Sequence, residues 1–216
     1  MRSLGRICLD ILLSAYVLNA ITFTFRLHFT VMPQKLRTIE IARLSLKDFR
    51  EAEKLPLTVV LDDVRSMYNI GSVFRTCDAF RVEEVLLCGI TATPPHPEIH
   101  KTALGGEDSV AWKYFPTTLE AIDYLRSKHS IIYSIEQCEG SVMLGDIDSL
   151  PVFSADSGAS GCAVVFGNEV KGVHQEVIDR SDACIEIPQY GTKHSLNVSV
   201  TAGIVIWEFA RRFFDM

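Results

Sequence analysis

Cys162-Ala163-Val164-Val165-Phe166-Gly167-Asn168-Glu169 is the stretch on which the fold turns. Five apolar residues, two of them β-branched, run unbroken into a glycine and two polar groups. A run that short with no polar alternation reads as a strand buried on both faces, which places it inside a parallel sheet covered by helices. The same form recurs outward from it. Leu57-Thr58-Val59-Val60-Leu61 ends in Asp62-Asp63, Val82 to Ile90 and Ile131 to Ile135 are further runs, and Ala183 to Ile187 is stopped by Pro188.

Helical spacing fills the gaps. From Ile70 the apolar positions are 70, 73, 74, 77 and 80. Thr117-Thr118-Leu119-Glu120 has the form of a capping box, opening a helix expected to run to about His129. A short helix is expected over Val173 to Ser181. A long one is expected over Ser195 to Phe214, with Leu196, Val200, Ile204, Trp207 and Ala210 along one stripe. Thr93-Pro94-Pro95-His96-Pro97 reads as loop. The predicted fold class is therefore α/β, a largely parallel sheet flanked by helices. In such sheets ligands bind beyond the carboxyl ends of the strands.

Three polar segments fall at those ends. They are Asn69-Ile70-Gly71-Ser72-Val73-Phe74-Arg75, then Phe166-Gly167-Asn168-Glu169, then Ile187-Pro188-Gln189-Tyr190-Gly191 leading into Ser195-Leu196-Asn197-Val198-Ser199. Each combines a glycine, where backbone can approach a ligand closely, with fixed polar groups. No GxGxxG follows the first strand and no GxxxxGK[ST] occurs, which disfavours a dinucleotide fold and a P-loop. His96 and His100 stand four apart, but Pro97 between them argues against helical presentation and no third ligand follows, so no metal is expected. His194 beside Ser195 lacks the Gly-x-Ser-x-Gly of a hydrolase elbow.

The three segments, in this order and spacing, resemble the motifs of the SpoU/TrmH branch of the SPOUT RNA methyltransferases, over about residues 57–214. Lys101-Thr102-Ala103-Leu104-Gly105 is also similar to that family. The resemblance implies a trefoil knot in the C-terminal third and S-adenosylmethionine as methyl donor. It implies a homodimer with the last helix at the interface, and methylation of a ribose 2′-hydroxyl in tRNA or rRNA. It implies a donor site of Phe166, Gly167, Ile187, Pro188, Gly191, Ser195 and Leu196. Arg75, Asn69, Glu169, Ser195 and Asn197 are the expected catalytic set. Arg75 is taken as an electrostatic clamp on the developing 2′-oxyanion, because a neutral guanidinium is too costly to serve as a base. Its bland alternative is a surface ion pair with Asp78 or Asp62. Asn69 and Ser195 are expected to orient Arg75 or the ribose. Glu169 is expected to hold the loops or face the donor, and Asn197 to cap the last helix. The alternative function is a non-catalytic RNA-binding or assembly protein keeping the same fold.

Composition bounds the rest. The chain has 216 residues, 48% of them hydrophobic, and a formal net charge of -6. That balance disfavours a protein that coats nucleic acid non-specifically, since such binding rests on many Lys and Arg contacts to phosphate. RNA contact is expected on a local patch from Arg65, Arg75, Arg81, Lys101, Lys171 and Lys193. Six cysteines form no CxxC and no zinc spacing, consistent with free thiols in a reducing cytoplasm. Residues 1–31 have the outline of a signal peptide or weak anchor, yet Asp10 and Asn19 interrupt the apolar run. The run also falls short of the ~20 apolar residues that span a bilayer. The expectation is a start assigned upstream of Met32, with no membrane role. Residues 32–56, with Lys35, Arg37, Arg43, Lys47, Arg50 and Lys54, form a basic lead-in, and 57–216 the methyltransferase domain.

Overall fold

The computed structural model describes residues 34–37, 43–153 and 159–214. The chain divides into residues 1–43 and a compact unit, 44–216. The expected hydrophobic extension, 1–31, lies outside the described residues. Among the described residues no helix is long and apolar enough to cross a membrane.

Among the described residues seven strands form one sheet: β1 (Leu55–Asp62), β2 (Val82–Cys88), β3 (Ala111–Phe115), β4 (Ile131–Ile135), β5 (Val142–Met143), β6 (Cys162–Phe166) and β7 (Ala183–Glu186). Their order is β3-β2-β1-β6-β4-β7-β5 and every pairing is parallel. The late strands β6 and β7 thus insert on either side of the earlier β4, an arrangement compatible with a knotted C-terminal third.

The helices are α1 (Leu46–Glu51), α2 (Met67–Ala79), α3 (Pro97–Ala103), α4 (Gly106–Ser109), α5 (Thr118–Ser127), α6 (Gln175–Ile178) and α7 (Val198–Phe213). Strand alternation sorts them into two layers. Leu57, Val59, Leu61, Val164 and Phe166 pack with Ile70, Val73, Phe74 and Cys77 of α2 and with Ala202, Val205, Ile206 and Phe209 of α7. Val60, Leu86, Ile132, Ala163 and Val165 point the other way, onto Ala121, Ile122 and Leu125 of α5 and Val177 of α6. The continuous apolar runs are explained by this cover on both sides.

Three expectations needed revision. Pro97 does not exclude a helix; it occupies the first turn of α3, where its missing N–H is no loss, and the His96 side chain caps that helix. The helix expected from Ser195 begins at Val198, because Asn197 turns extended and accepts the Ser199 N–H as N-cap. The stripe of Val200, Ile204 and Trp207 faces outward, at 50, 38 and 47% exposure, while Val198, Ala202, Val205, Ile206, Phe209 and Ala210 face the core. Of the cysteines, Cys77, Cys88 and Cys162 are buried and free, and burial pushes all three thiols up, Cys88 to about 12.

Candidate active site

Parallel pairing puts the carboxyl ends of β4, β6 and β7 along one edge, and there a cleft of about 1030 Å³ opens. Three loops line it. The first follows β6, the second follows β7 into α7, and the third follows β4. Phe166, Gly167, Glu169, Ile187, Ser195, Leu196 and Asn197 of the expected site line this cleft. Pro188 and Gly191 lie on the exposed 188–197 loop but not in the lining, and no heavy atom beyond its chain neighbours approaches a Cβ built on Gly191 within 4 Å. Asn69 and Arg75 are also outside the lining.

The loop after β6 is built by its own side chains. Asn168 is buried, and its amide oxygen accepts the N–H groups of Val170 (2.9 Å) and Lys171 (3.2 Å). Its amide nitrogen donates to the Asp63 carbonyl at 2.8 Å, fastening the loop to the end of β1. Asn168 and Gly172 exchange both backbone hydrogen bonds, so the chain folds back on itself. The return strand passes so close that a Cβ on Gly167 would sit 2.0 Å from the Gly172 carbonyl carbon. Gly167 is required by chain against chain. Gly71 has a similar cause: its Cβ would meet the Ile99 carbonyl oxygen at 2.2 Å, so it serves the close packing of α2 on α3 and not a ligand.

Glu169 joins the first two motifs. Its carboxylate accepts the backbone N–H groups of Ser66 (2.9 Å) and Arg65 (3.1 Å) and the Asn69 amide (3.0 Å). It therefore sits where the chain enters α2, near the positive end of that helix. Partial burial works against ionisation, yet these donors hold the carboxyl below the usual glutamate range. Asn197 brings in the third motif: its amide nitrogen donates to the Asn69 oxygen at 3.2 Å. One chain of hydrogen bonds, Glu169–Asn69–Asn197, links residues 128 positions apart.

Arg75 stands on the exposed face of α2 and makes no ion pair or hydrogen bond among the described residues. Neither alternative ion pair, with Asp78 or with Asp62, forms among the described residues. Asp78 accepts from Ser109 at 2.5 Å, and Asp62 from Thr118 and His174. Ser195 is exposed on the cleft wall with no hydrogen bond among the described residues.

The loop after β4 escaped sequence reading. Glu136, Gln137, Cys138 and Glu139 line the cleft. Glu136 accepts the Val173 N–H at 3.0 Å, and its carboxylate oxygen occupies the space a Cβ on Gly172 would fill. Gln137 donates to the His194 carbonyl at 3.0 Å. One residue thus holds the β6 loop and the next holds the β7 loop. The signal is present in the sequence: Ile131–Ile135 reads as a strand, and in a parallel sheet its carboxyl end must share the edge. Asp62, Asp63 and His174 also come together, with possible ligand atoms all within 4.8 Å, but Asp62 is saturated by Thr118 and by the backbone and ring of His174.

A parallel α/β unit whose cleft is walled by loops from three strand ends, two of them glycine-dependent or hydrogen-bonded to one another, defines a class of ligand-binding domain. A family model described as the SpoU rRNA Methylase family matches residues 56–207, and the chain belongs to that family. It is 28% identical over 173 residues to the tRNA (guanosine(18)-2'-O)-methyltransferase of Thermus thermophilus, covering 80% of this chain and 84% of that one. It is 30% identical over 173 residues to the 23S rRNA (guanosine-2'-O-)-methyltransferase RlmB of Coxiella burnetii, covering 80% and 64%. Among solved structures, the A. aeolicus TrmH/SpoU tRNA modifying enzyme superposes with a TM-score of 0.66 at 25% identity, over 79% of this chain and 83% of that one. The AdoMet-bound rRNA methyltransferase of Sinorhizobium meliloti gives 0.64 at 27%, over 74% and 60%.

Proposed function

We propose that this protein transfers a methyl group from S-adenosylmethionine to the 2′-hydroxyl of a ribose in tRNA or rRNA. The observation that carries the reading is the Glu169–Asn69–Asn197 chain, which ties the first motif to the two motifs that line the cleft. The residues fit the donor: an apolar floor of Phe166, Ile185 and Ile187 suits an adenine, and backbone groups of the two loops suit its edge. S-adenosylmethionine supplies a methyl group already activated by the sulfonium charge. The chain supplies alignment and charge. Gly167, Ile187, Ser195 and Leu196 would shape the donor site, and Asn69, Glu169 and Asn197 would keep its loops in register. Arg75 carries a guanidinium that no carboxylate among the described residues neutralises, as expected of a group that stabilises an oxyanion.

Arg75 is not among the side chains that line the cleft, and a homodimer would account for this. The outward stripe of Val200, Ile204 and Trp207 on α7 adjoins α2, where Trp207 meets Phe80 edge to face at 5.7 Å. Burying that stripe against a second copy would bring the exposed face of α2 to the shared boundary, so that each cleft is completed by the partner's Arg75. RNA would be met by Arg65, Lys171 and Lys193, which are exposed and without ion pairs among the described residues. Lys101 is already paired with Glu98 at 2.6 Å, and Arg81 stacks on Phe214, so both contribute less to the patch.

The test is methyl transfer from labelled S-adenosylmethionine to tRNA and to rRNA from cells lacking the gene. Label at one nucleotide whose 3′ linkage resists alkali is the expected result. Donor binding without transfer to either pool would favour the non-catalytic alternative.

A further inference from the structure

Four carboxylates line the one cleft, those of Glu136, Glu139, Glu169 and Glu186. Among the described residues none of them forms an ion pair. Glu169 and Glu136 are held by neutral N–H donors, and Glu186 accepts from the Ser141 hydroxyl at 2.8 Å, so their hydrogen bonds leave the charge uncancelled. Lys171 is the single lysine or arginine in the lining, with His194 the other basic side chain. A concave wall of one sign focuses potential into the cleft and favours a ligand of the opposite sign. A site shaped only for an adenosine would gain nothing from that excess, and mutual repulsion makes it a cost to folding.

We propose that Glu139 and Glu186 make this cleft discriminate by charge between donor and product, holding the sulfonium and releasing the thioether. The proposal rests on the reading of S-adenosylmethionine as donor. The two ligands share adenosine, α-ammonium and carboxylate, and differ at the sulfur by one methyl and one positive charge. Product therefore leaves because transfer removes the charge that the cleft was holding. Glu139 and Glu186 are the specificity-determining pair because their carboxylates are the least committed to holding loops. Glu139 is exposed and makes no hydrogen bond among the described residues.

The experiment is calorimetric binding of S-adenosylmethionine, S-adenosylhomocysteine and the amine analogue sinefungin to the full chain. The variants are Glu139→Gln, Glu186→Gln, the double variant, and Glu83→Gln as a control for net charge on the exposed face of β2. Wild type should bind both cations more tightly than the thioether, with a preference that shrinks as salt rises. Each cleft variant should lower the cation-to-thioether ratio about two- to sixfold, as for one charge ~8 Å away at an effective dielectric of roughly 40 to 80. Thioether affinity should stay level, which also shows that the site is intact. Glu83→Gln should leave the ratio alone. Three bound ligands with an unshifted ratio in the double variant would overturn the charge inference and leave the donor reading standing. Failure of wild type to bind any of the three would overturn both.

Discussion

At the scale of single residues, the cleft separates groups that touch one another from groups kept free. Glu169 belongs to the first kind. Glu169→Ala would leave the Arg65 and Ser66 N–H groups and the Asn69 amide without their acceptor. The expected loss is about 1–3 kcal/mol in denaturant unfolding, with weakened donor binding, because the part-buried Ser66 and Asn69 donors lose a charged partner. Arg75 belongs to the second kind. Arg75→Ala should leave unfolding within about 0.5 kcal/mol of wild type. Under saturating RNA it should lower the methyl-transfer rate by roughly 10²–10³, the usual effect of removing one oxyanion stabiliser. Donor affinity measured without RNA should not change, and a parallel loss of donor affinity would count against the clamp role. The glycines divide in the same manner. Gly167→Ala drives a methyl into the Gly172 backbone and should disrupt donor binding, whereas Gly191→Ala enters open space and should be tolerated. Circular dichroism and ligand titration of the two variants would separate them.

At the scale of elements, α7 shows what pattern can and cannot reveal. Its apolar positions were legible, but both of its faces are apolar enough that periodicity alone did not say which one the sheet takes. Burial assigns Ala202, Val205, Ile206 and Phe209 to the core and leaves Val200, Ile204 and Trp207 outside. Strands β1 and β6 were readable because burial on both faces makes them nearly continuous apolar runs, and β2, β4 and β7 because an apolar segment survives in each beside Glu83, Ser134 and Glu186. Edge strand β3, Ala111–Phe115, was not, since none of its residues is fully buried and they include Lys113. The site was legible where a motif carried it. Its cross-links were not, because a hydrogen bond such as Asn197 to Asn69 leaves no trace in local spacing. The far end of α7 is held by charge. Glu208 bonds Arg211 at 2.7 Å and also Arg212, which reaches Asp148, so α7 is tied to the 3-10 turn at Leu144–Ser149. The Arg211 hydrogen bond, joined by Arg212, holds the Glu208 carboxyl down to about 2. A depressed carboxyl stabilises the fold above its unfolded value, near 4.3, and that stability is lost as pH falls through the folded value. Stability measured from pH 5 down to pH 2 should therefore fall less steeply in Glu208→Gln than in wild type. Equal slopes would mean that the Glu208 pairs contribute nothing measurable.

At the scale of the whole molecule, the outward face of α7 sets the expected assembly. Val200, Ile204 and Trp207 form an apolar row on a chain that carries a net charge of -6 and gains solubility from it. An exposed apolar stripe on a helix that already has a buried opposite face is the usual mark of a surface buried by association. Leu196, 39% exposed, lines the cleft two residues before α7 begins, so a contact that buries the outward face of α7 would border the donor site. This ties assembly to activity. Ile204→Glu places a carboxylate in the middle of the row without touching the core face, so the chain should remain folded. Sedimentation at micromolar concentration should show wild type as a dimer and Ile204→Glu as a monomer. If Arg75 completes the cleft of the opposite subunit, the monomer should lose transfer about as fully as Arg75→Ala does while still folding. Mixing Ile204→Arg with Ile204→Glu should restore pairing and some activity, because the substituted row then meets itself with opposite charges. A monomeric wild type with full activity would remove the dimer from the mechanism and require Arg75 to act on its own cleft.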